Sequence, residues 1–344
     1  MKEQKSYKKN NILKKIFIKI CRFLGFEIID QSNFYVPTQK KNLNENLSIQ
    51  GKKSITLPLG ETKITRKVES LTIIFRSCTN VNMLTQNKKR LFDKEKSEYT
   101  LRSLNSIISS LSEAKISFPN IIFDLVVIDY NSKKDDLLLI EKILNKSNFN
   151  TPIISLNMSD FKDKIKKLNA KNKQVTENQM SNMANIHKSL LYAKNKCKDL
   201  VYFVEDDYLH LQESIKEMIF SYERISSQLN KELILCPTDY PYLYTKLEPS
   251  NIFLGSSKHW RTVNETLCTF LTSKNIIEKY WDKLISMSEF EHYPFEKPLH
   301  EIYKEEYCLT PIPSLALHCT NINSIFGLSP NIDWQKVWED NKNY

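Results

Sequence analysis

VYFVEDDYLH (201–210) runs four apolar residues straight into three acids, Glu205, Asp206 and Asp207. The apolar part reads as a strand buried on both faces, as in the interior of a parallel sheet. Carboxylates at the end of such a strand cost free energy unless something pairs with them. Two readings stand side by side. The acids hold a divalent cation together with a diphosphate, or they form a solvated turn that caps the helix LQESIKEMIFSYERI (211–225).

Outward from this stretch the chain alternates between strand and helix. LTIIF (71–75), FDLVVID (123–129), TPIISLN (151–157) and LVYFVEDD (200–207) are short apolar runs of strand length. Residues 97–115, 135–146 and 180–196 place apolar side chains at helical spacing between them. Such alternation predicts an α/β domain with a mostly parallel sheet flanked by helices. Ligands of these sheets bind at the carboxyl ends of strands, where the strand order reverses. Two of the runs end in acid there, at Asp129 and at Glu205–Asp207.

The 344 residues suffice for one large domain with additions, and a hydrophobic fraction of 41% supports a real core. The formal charge of +10 favours anionic partners. Outside one N-terminal cluster the basic residues are spread out, which argues against a nucleic-acid binder. The seven cysteines form no CxxC pair, so the spacing suggests neither zinc nor redox chemistry and fits reduced thiols in a cytoplasm. No stretch has the roughly 20 apolar residues of a membrane span. Residues 1–30 read as a basic amphipathic helix, with Ile12, Leu13, Ile16, Phe17, Ile20 and Leu24 on one face and Lys14, Lys15, Lys19 and Arg22 mostly on the other. It suits an anionic membrane surface or a docking face on protein. Residues 31–69 read as linker with short strands at SITLPLG and TKITRKV. Residues 70–210 then form the first half of the domain and 211–344 the second.

Taken together, these pieces resemble the GT-A nucleotide-sugar glycosyltransferases, family 2-like. LTIIFRSCTN is similar to that group's first strand, with Arg76-Ser77 in place of the usual proline-threonine pair. VVIDYNSKKDD resembles the strand that ends in a nucleotide-binding aspartate, here Asp129, with Asn131 standing for the following glycine. MANIHKSLLYAKNKCKDLVYFVEDDYLH resembles the helix leading into the DXD strand, the motif being spelled Glu205-Asp206-Asp207. The resemblance covers residues 70–210 and continues more loosely to about 334. It implies Mn²⁺ or Mg²⁺ held by Asp207, with His318 at the end of YCLTPIPSLALHCTN (307–321) as a second ligand. It implies a nucleotide-diphosphate sugar as donor, bound by Arg76, Asp129, Asn131, Glu205 and Asp206. Asp206 is also read as facing solvent or capping the next helix.

The second half would hold the acceptor, a glycan or a lipid-linked saccharide. Trp260 is read either as a platform for a sugar ring or as a core residue, and Arg261 as a phosphate partner. Glu296 and Glu301 are the nearest matches to the family's catalytic base, although Lys297 replaces the second acid of its pair. The implied enzyme is a hexosyltransferase of surface polysaccharide or lipopolysaccharide synthesis, cytoplasmic and peripheral on the inner membrane face. The alternatives are a sugar-phosphate nucleotidyltransferase, whose Gly-rich loop is missing from FRSCTNVNML, and a non-catalytic glycan- or membrane-binding module.

Overall fold

The computed structural model describes residues 12–26, 63–80, 90–245, 248–320 and 324–344. The expected strand SITLPLG and most of the 31–69 linker lie outside these residues. The chain divides into two units, Met1–Thr62 and Lys63–Tyr344. In the first, α1 (Ile12–Phe23) is a helix whose apolar residues are exposed, Phe17 to 57% and Phe23 to 90%.

The second unit runs β1 (Ser70–Ser77), α2 (Lys96–Ser117), β2 (Ile122–Asp129), α3 (Lys134–Asn145), β3 (Ile153–Ser155), α4 (Glu177–Lys196) and β4 (Leu200–Glu205). It continues through β5 (Tyr208–His210), α5 (Ser214–Leu229), β6 (Ile234–Leu235), β7 (Ile252–Leu254), β8 (His259–Thr262) and β9 (Phe270–Ser273). It closes with α6 (Lys274–Lys279), α7 (Trp281–Glu289), α8 (Lys297–Tyr303), β10 (Cys308–Ile312), β11 (Ala316–His318) and α9 (Trp334–Asp340).

Nine strands form one sheet in the order β3-β2-β1-β4-β9-β6-β10-β8-β7. Seven of them point one way, and β9 and β8 run against them. This is the mostly parallel, helix-flanked α/β sheet that the GT-A resemblance implies. The apolar runs are continuous because both faces are covered. Ile73, Phe75, Leu125, Val127, Tyr202 and Val204 face one core, with α2 and α5. Ile74, Val126, Ile128, Val201 and Phe203 face the other, with α4 and α7. Order reverses between β1 and β4: the chain builds outward through β2 and β3, then returns to the far side of β1. The crevice beyond Ser77 and Glu205 is therefore the switch point where a ligand is expected.

Three expectations need correction. TKITRKV forms no strand in its described part, residues 63–68. It is held in extended form by side chains instead: Arg66 pairs with Asp199 and Glu232, and the Val68 amide donates to Glu223 Oε1 at 2.8 Å. The run 307–321 is two strands, β10 and β11, separated at 313–315. The strand expected over 200–207 ends at Glu205 as β4, Asp206 and Asp207 form a turn, and a further strand, β5, follows. β5 and β11 pair antiparallel as a small second sheet.

A buried carboxylate fixes the second half. Glu217 on α5 accepts from the amides of Ser256 at 3.0 Å, Ser257 at 2.8 Å and Lys258 at 3.3 Å, and from Trp260 Nε1 at 3.3 Å. Gly255 lies so close that a Cβ there would stand 2.5 Å from Glu217 Oε1, Ser221 Oγ and Trp260 Nε1. Gly255→Ala is expected to destabilise the domain by about 1–3 kcal/mol through overpacking. A denaturant midpoint unchanged from the parent would show that the cradle gives way freely.

Candidate active site at the carboxyl ends of β1 and β4

Strand alternation sorts the expected site residues into two groups. Ser77 is the register partner of Asp129, and Arg76 is the register partner of Glu205. Ser77 and Asp129 follow Phe75 and Val127 to the α2 face, whereas Arg76 and Glu205 follow Ile74 and Phe203 to the α4 face. On its side, buried Asp129 Oδ1 accepts from Ser77 Oγ at 2.6 Å and Ser132 Oγ at 2.5 Å, and Oδ2 accepts from the Ser132 amide at 3.2 Å. The carboxylate thus ties β1 to the turn after β2. Asn131 in that turn is left-handed, with φ 53°, a conformation asparagine tolerates in the place of glycine.

On the other face, Arg76 Nη2 lies 2.9 Å from Glu205 Oε1, and Nη1 donates to Asn182 Oδ1 of α4 at 3.2 Å. The Nη2 contact has ion-pair distance without hydrogen-bond alignment, so that nitrogen keeps an unmade bond. Burial pushes the Glu205 carboxyl up; Arg76 opposes this and Asp207 adds to it.

Asp206 corrects the expectation of a solvent-facing or helix-capping acid. It is 8% exposed. Oδ1 pairs with Lys96 Nζ, and Oδ2 accepts from Thr100 Oγ1 at 2.9 Å and the Cys78 amide at 3.2 Å. Burial acts to lower the Lys96 ammonium, but Asp206 and Asp207 outweigh it and hold it above its ordinary value. Asp206 therefore locks the β4–β5 turn onto the first turn of α2 and the end of β1. Sequence reading missed Lys96. Its signal was a lysine opening a helix, opposite a strand end that needs positive charge.

Asp207 and His318 come together because β5 and β11 pair with Tyr208 opposite His318. Asp207 Oδ2 lies 3.7 Å from His318 Nε2. The imidazole stacks on the Tyr208 ring, centroids 4.4 Å apart, and its Nδ1 lies 2.7 Å from the carbonyl oxygen of Phe326. A proton on Nδ1 donates to that carbonyl and leaves Nε2 turned to Asp207, the orientation usual in a metal-binding histidine. Burial acts to raise the Asp207 carboxyl, yet His318, with Lys96 and Arg90, holds it well below the carboxylate range. Burial acts to lower His318, and Asp207 raises it. A proton on His318 thus supplies positive charge where a cation would. One carboxylate and one imidazole would suit Mn²⁺ better than Mg²⁺, which prefers oxygen donors throughout. No group of three or more His, Cys, Asp or Glu with metal-binding potential occurs among the described residues, so a cation here would take its other ligands from water and phosphate.

Glu296 precedes α8. Burial raises its carboxyl to about 7, with a further push from Glu205 and an opposing pull from His318 and Arg76. Glu296 is thus within electrostatic reach of Glu205, His318 and Arg76. Glu301 is not brought there. It is exposed, both its oxygens lie 2.8 Å from Lys304 Nζ, and that contact lowers its carboxyl.

The acceptor residues expected from sequence are also elsewhere engaged. Trp260 is 0% exposed and packs in the core above Glu217, so it offers no ring face to a sugar. Arg261 pairs with buried Asp239 and lies over the Tyr244 ring at 4.6 Å. Tyr244 donates to the same aspartate. The group fastens residues 239–244 onto β8 and leaves Arg261 committed.

No protein-family model matches the sequence. No curated protein matches it either. Solved structures resemble it loosely. S. aureus TarS, residues 1–349, is 13% identical over 61% of this chain and 48% of that chain, with TM-score 0.32. The galactosyltransferase LgtC, solved with donor and acceptor sugar analogues, is 11% identical over 68% and 65%, with TM-score 0.31. A UDP-glucose pyrophosphorylase, solved with UDP-glucose, is 9% identical over 80% and 97%, with TM-score 0.37. The chain spans about half the length of the TarS fragment. No residue role transfers from these likenesses, and the site is read from its own contacts.

Asp206→Ala would leave Lys96, 11% exposed along its side chain, without its counter-charge. Breaking a buried pair from one side costs about 3–5 kcal/mol. Chemical unfolding should show that loss, and a shift below about 1 kcal/mol, as at exposed pairs, would remove Asp206 from the role of tie.

Proposed function

We propose that this chain is a metal-dependent glycosyltransferase that moves a sugar from a nucleotide-diphosphate donor to a glycan or lipid-linked acceptor. The observation that carries the reading is the juxtaposition of Asp207 with His318 at the switch point, with the raised carboxyl of Glu296 within electrostatic reach of His318. Asp207 and His318 would hold the cation. When bound, the cation offsets negative charge gathering on the departing diphosphate. Arg76 would add a second positive group there. Asp129 and Asn131 shape the turn against which a nucleoside would lie. Glu296 is the base in this reading. A carboxyl near neutrality can take a proton from an acceptor hydroxyl and still be regenerated in the next cycle.

We also propose that α1 lies on an anionic membrane surface, as expected for an enzyme of surface polysaccharide synthesis working from the cytoplasmic side. Its exposed Phe17, Ile20 and Phe23 share a helix with Lys19 and Arg22. No helix among the described residues is long and apolar enough to cross a membrane, so the contact would be peripheral.

One experiment tests the catalytic reading. UDP-, GDP- and dTDP-sugars are offered with Mn²⁺ or Mg²⁺, and released nucleoside diphosphate is measured. Release of pyrophosphate or a nucleoside triphosphate instead would favour a nucleotidyltransferase. Asp207→Ala should lose at least about 100-fold in turnover, and Glu296→Gln about 10²–10⁴-fold. Parent activity should rise with pH through about 7 as Glu296 loses its proton. The stability sign is opposite. A raised carboxyl stabilises the fold below its ordinary value of 4.5 and loses that contribution as pH rises through about 7. Glu296→Gln should therefore gain thermal stability relative to the parent above neutrality. Full activity in both variants would sink these assignments.

For the membrane proposal, removal of residues 1–30 should abolish sedimentation with vesicles containing phosphatidylglycerol. Unchanged sedimentation would remove α1 as the contact.

A further inference from the structure

The connection between β3 and α4 carries DFKDKIKKLNAKNKQ (160–174), with lysines at 162, 164, 166, 167, 171 and 173. All six are exposed. A run of this kind is usually a solvated surface without fixed form. Here the backbone is pinned. The Asn169 side chain accepts from the amides of Lys171 and Lys173 at 3.0 Å each, and the Asn169 amide donates to the Lys173 carbonyl at 2.9 Å. Asn172 takes a left-handed φ of 55° to make that turn. The Lys166 amide donates to the carbonyl of Glu289 at 2.8 Å, and the Ala170 amide to that of Glu291 at 3.1 Å. The hairpin is thus fastened to the end of α7.

Between the two lies an open hollow of about 480 Å³, lined chiefly by Lys166, Lys167, Leu168, Asn169, Asn172 and Phe290. That size falls in the range of about 300–1,000 Å³ common for small-ligand sites. Phe290 and Leu168 offer apolar surface to the C–H face of a sugar ring. The Asn172 side-chain amide suits hydroxyl groups, whereas that of Asn169 is taken up by Lys171, Lys173 and Glu291. Glu291, whose backbone fastens the hairpin, already accepts from Asn169 Nδ2 at 2.8 Å. None of the six lysines has a carboxylate partner among the described residues. Some rest on rings instead: Lys166 Nζ is 5.2 Å from the Phe290 centroid and Lys171 Nζ is 3.1 Å from that of Tyr293. Their charge is available to an incoming anion.

Both walls continue along the chain into residues of the candidate active site. The hairpin runs into α4, whose Asn182 bonds Arg76. Phe290 begins the segment that ends at Glu296. We infer that this hollow is an acceptor subsite for a sugar unit bearing a carboxylate or phosphate group. The inference rests on the glycosyl-transfer reading for its role, but the binding it requires does not depend on turnover.

The test measures binding by calorimetry with the full chain. The probes are tetragalacturonate, its fully methyl-esterified neutral form, and a hexose 6-phosphate. At least one acidic probe should bind, and the neutral tetrasaccharide should bind at least about tenfold more weakly than the acidic one, the size of one lost charge-assisted contact. Tighter binding of the uronate or of the phosphate identifies the anionic group. The double variant Lys166→Glu/Lys167→Glu should reduce acidic binding to the neutral level while thermal stability and metal-dependent donor hydrolysis stay at parent values. The control Lys142→Glu/Lys146→Glu, at the C-terminal end of α3 and its cap, should leave binding intact. Equal affinity for acidic and neutral probes, no binding of any probe, or equal loss in the control overturns the subsite. So does a hairpin variant that loses affinity for anionic vesicles while keeping the acidic saccharide. Acidic binding in a chain that turns over no donor would leave the hollow standing and sink the transfer reading alone.

Discussion

Carboxylates cannot sit at the end of a doubly buried strand without counter-charge, and this requirement organises the centre of the molecule. β4 delivers three of them in succession. Each meets a different cation because the backbone turns each one a different way. Glu205, still on the strand, points to the α4 face and finds Arg76. Asp206, first in the turn, reaches back to Lys96 and Thr100 on α2. Asp207 reaches His318 across the β5–β11 pair. The three contacts bind the switch point to a helix, to a neighbouring strand and to the second sheet. Removing the charges from this stretch would unfasten all three connections together.

The same constraint separates the structural acids from those free for chemistry. Asp129 and Asp206 accept from several internal donors each, so their oxygens are used in holding turns. Glu217 behaves in the same way in the second half. Asp207 faces His318 at 3.7 Å, longer than a hydrogen bond, and feels Lys96 and Arg90 only through their charge, while Glu296 shows no side-chain hydrogen bond or ion pair among the described residues. Acids left short of protein partners are the ones a substrate or cation can engage.

Sequence made the sheet legible because its strands are buried on both faces. Continuous apolar runs of strand length such as LTIIF and LVYFV mark strands covered on both faces, and the helices between them carry clear periodicity. The Asp207–His318 meeting was legible only through family resemblance, since more than a hundred residues separate the two. The roles of Trp260 and Arg261 were not legible. Side chains able to bind a sugar or a phosphate are equally able to fill a core or pair with a buried aspartate. What decides is burial, and burial of β8 is set by residues as distant as Glu217 and Asp239. Lys96 escaped notice for a related reason: nothing local distinguishes it from the other lysines that open helices.

The departures from the family pattern also fit together physically. Arg76 stands where proline is usual, and it is the residue paired in register with Glu205. A proline there would supply neither the charge that Glu205 meets nor the bond to Asn182. Ser77 stands where threonine is usual and keeps the hydroxyl that Asp129 requires. Asn131 stands for glycine and adopts the left-handed angle that the turn demands. The hydroxyl beside Asp129 and the left-handed turn after it are thus supplied by other residues of the same physical capacity, whereas the positive charge beside Glu205 is this chain's own addition, and it is the addition that lets an acid stand on the α4 face of a doubly covered strand.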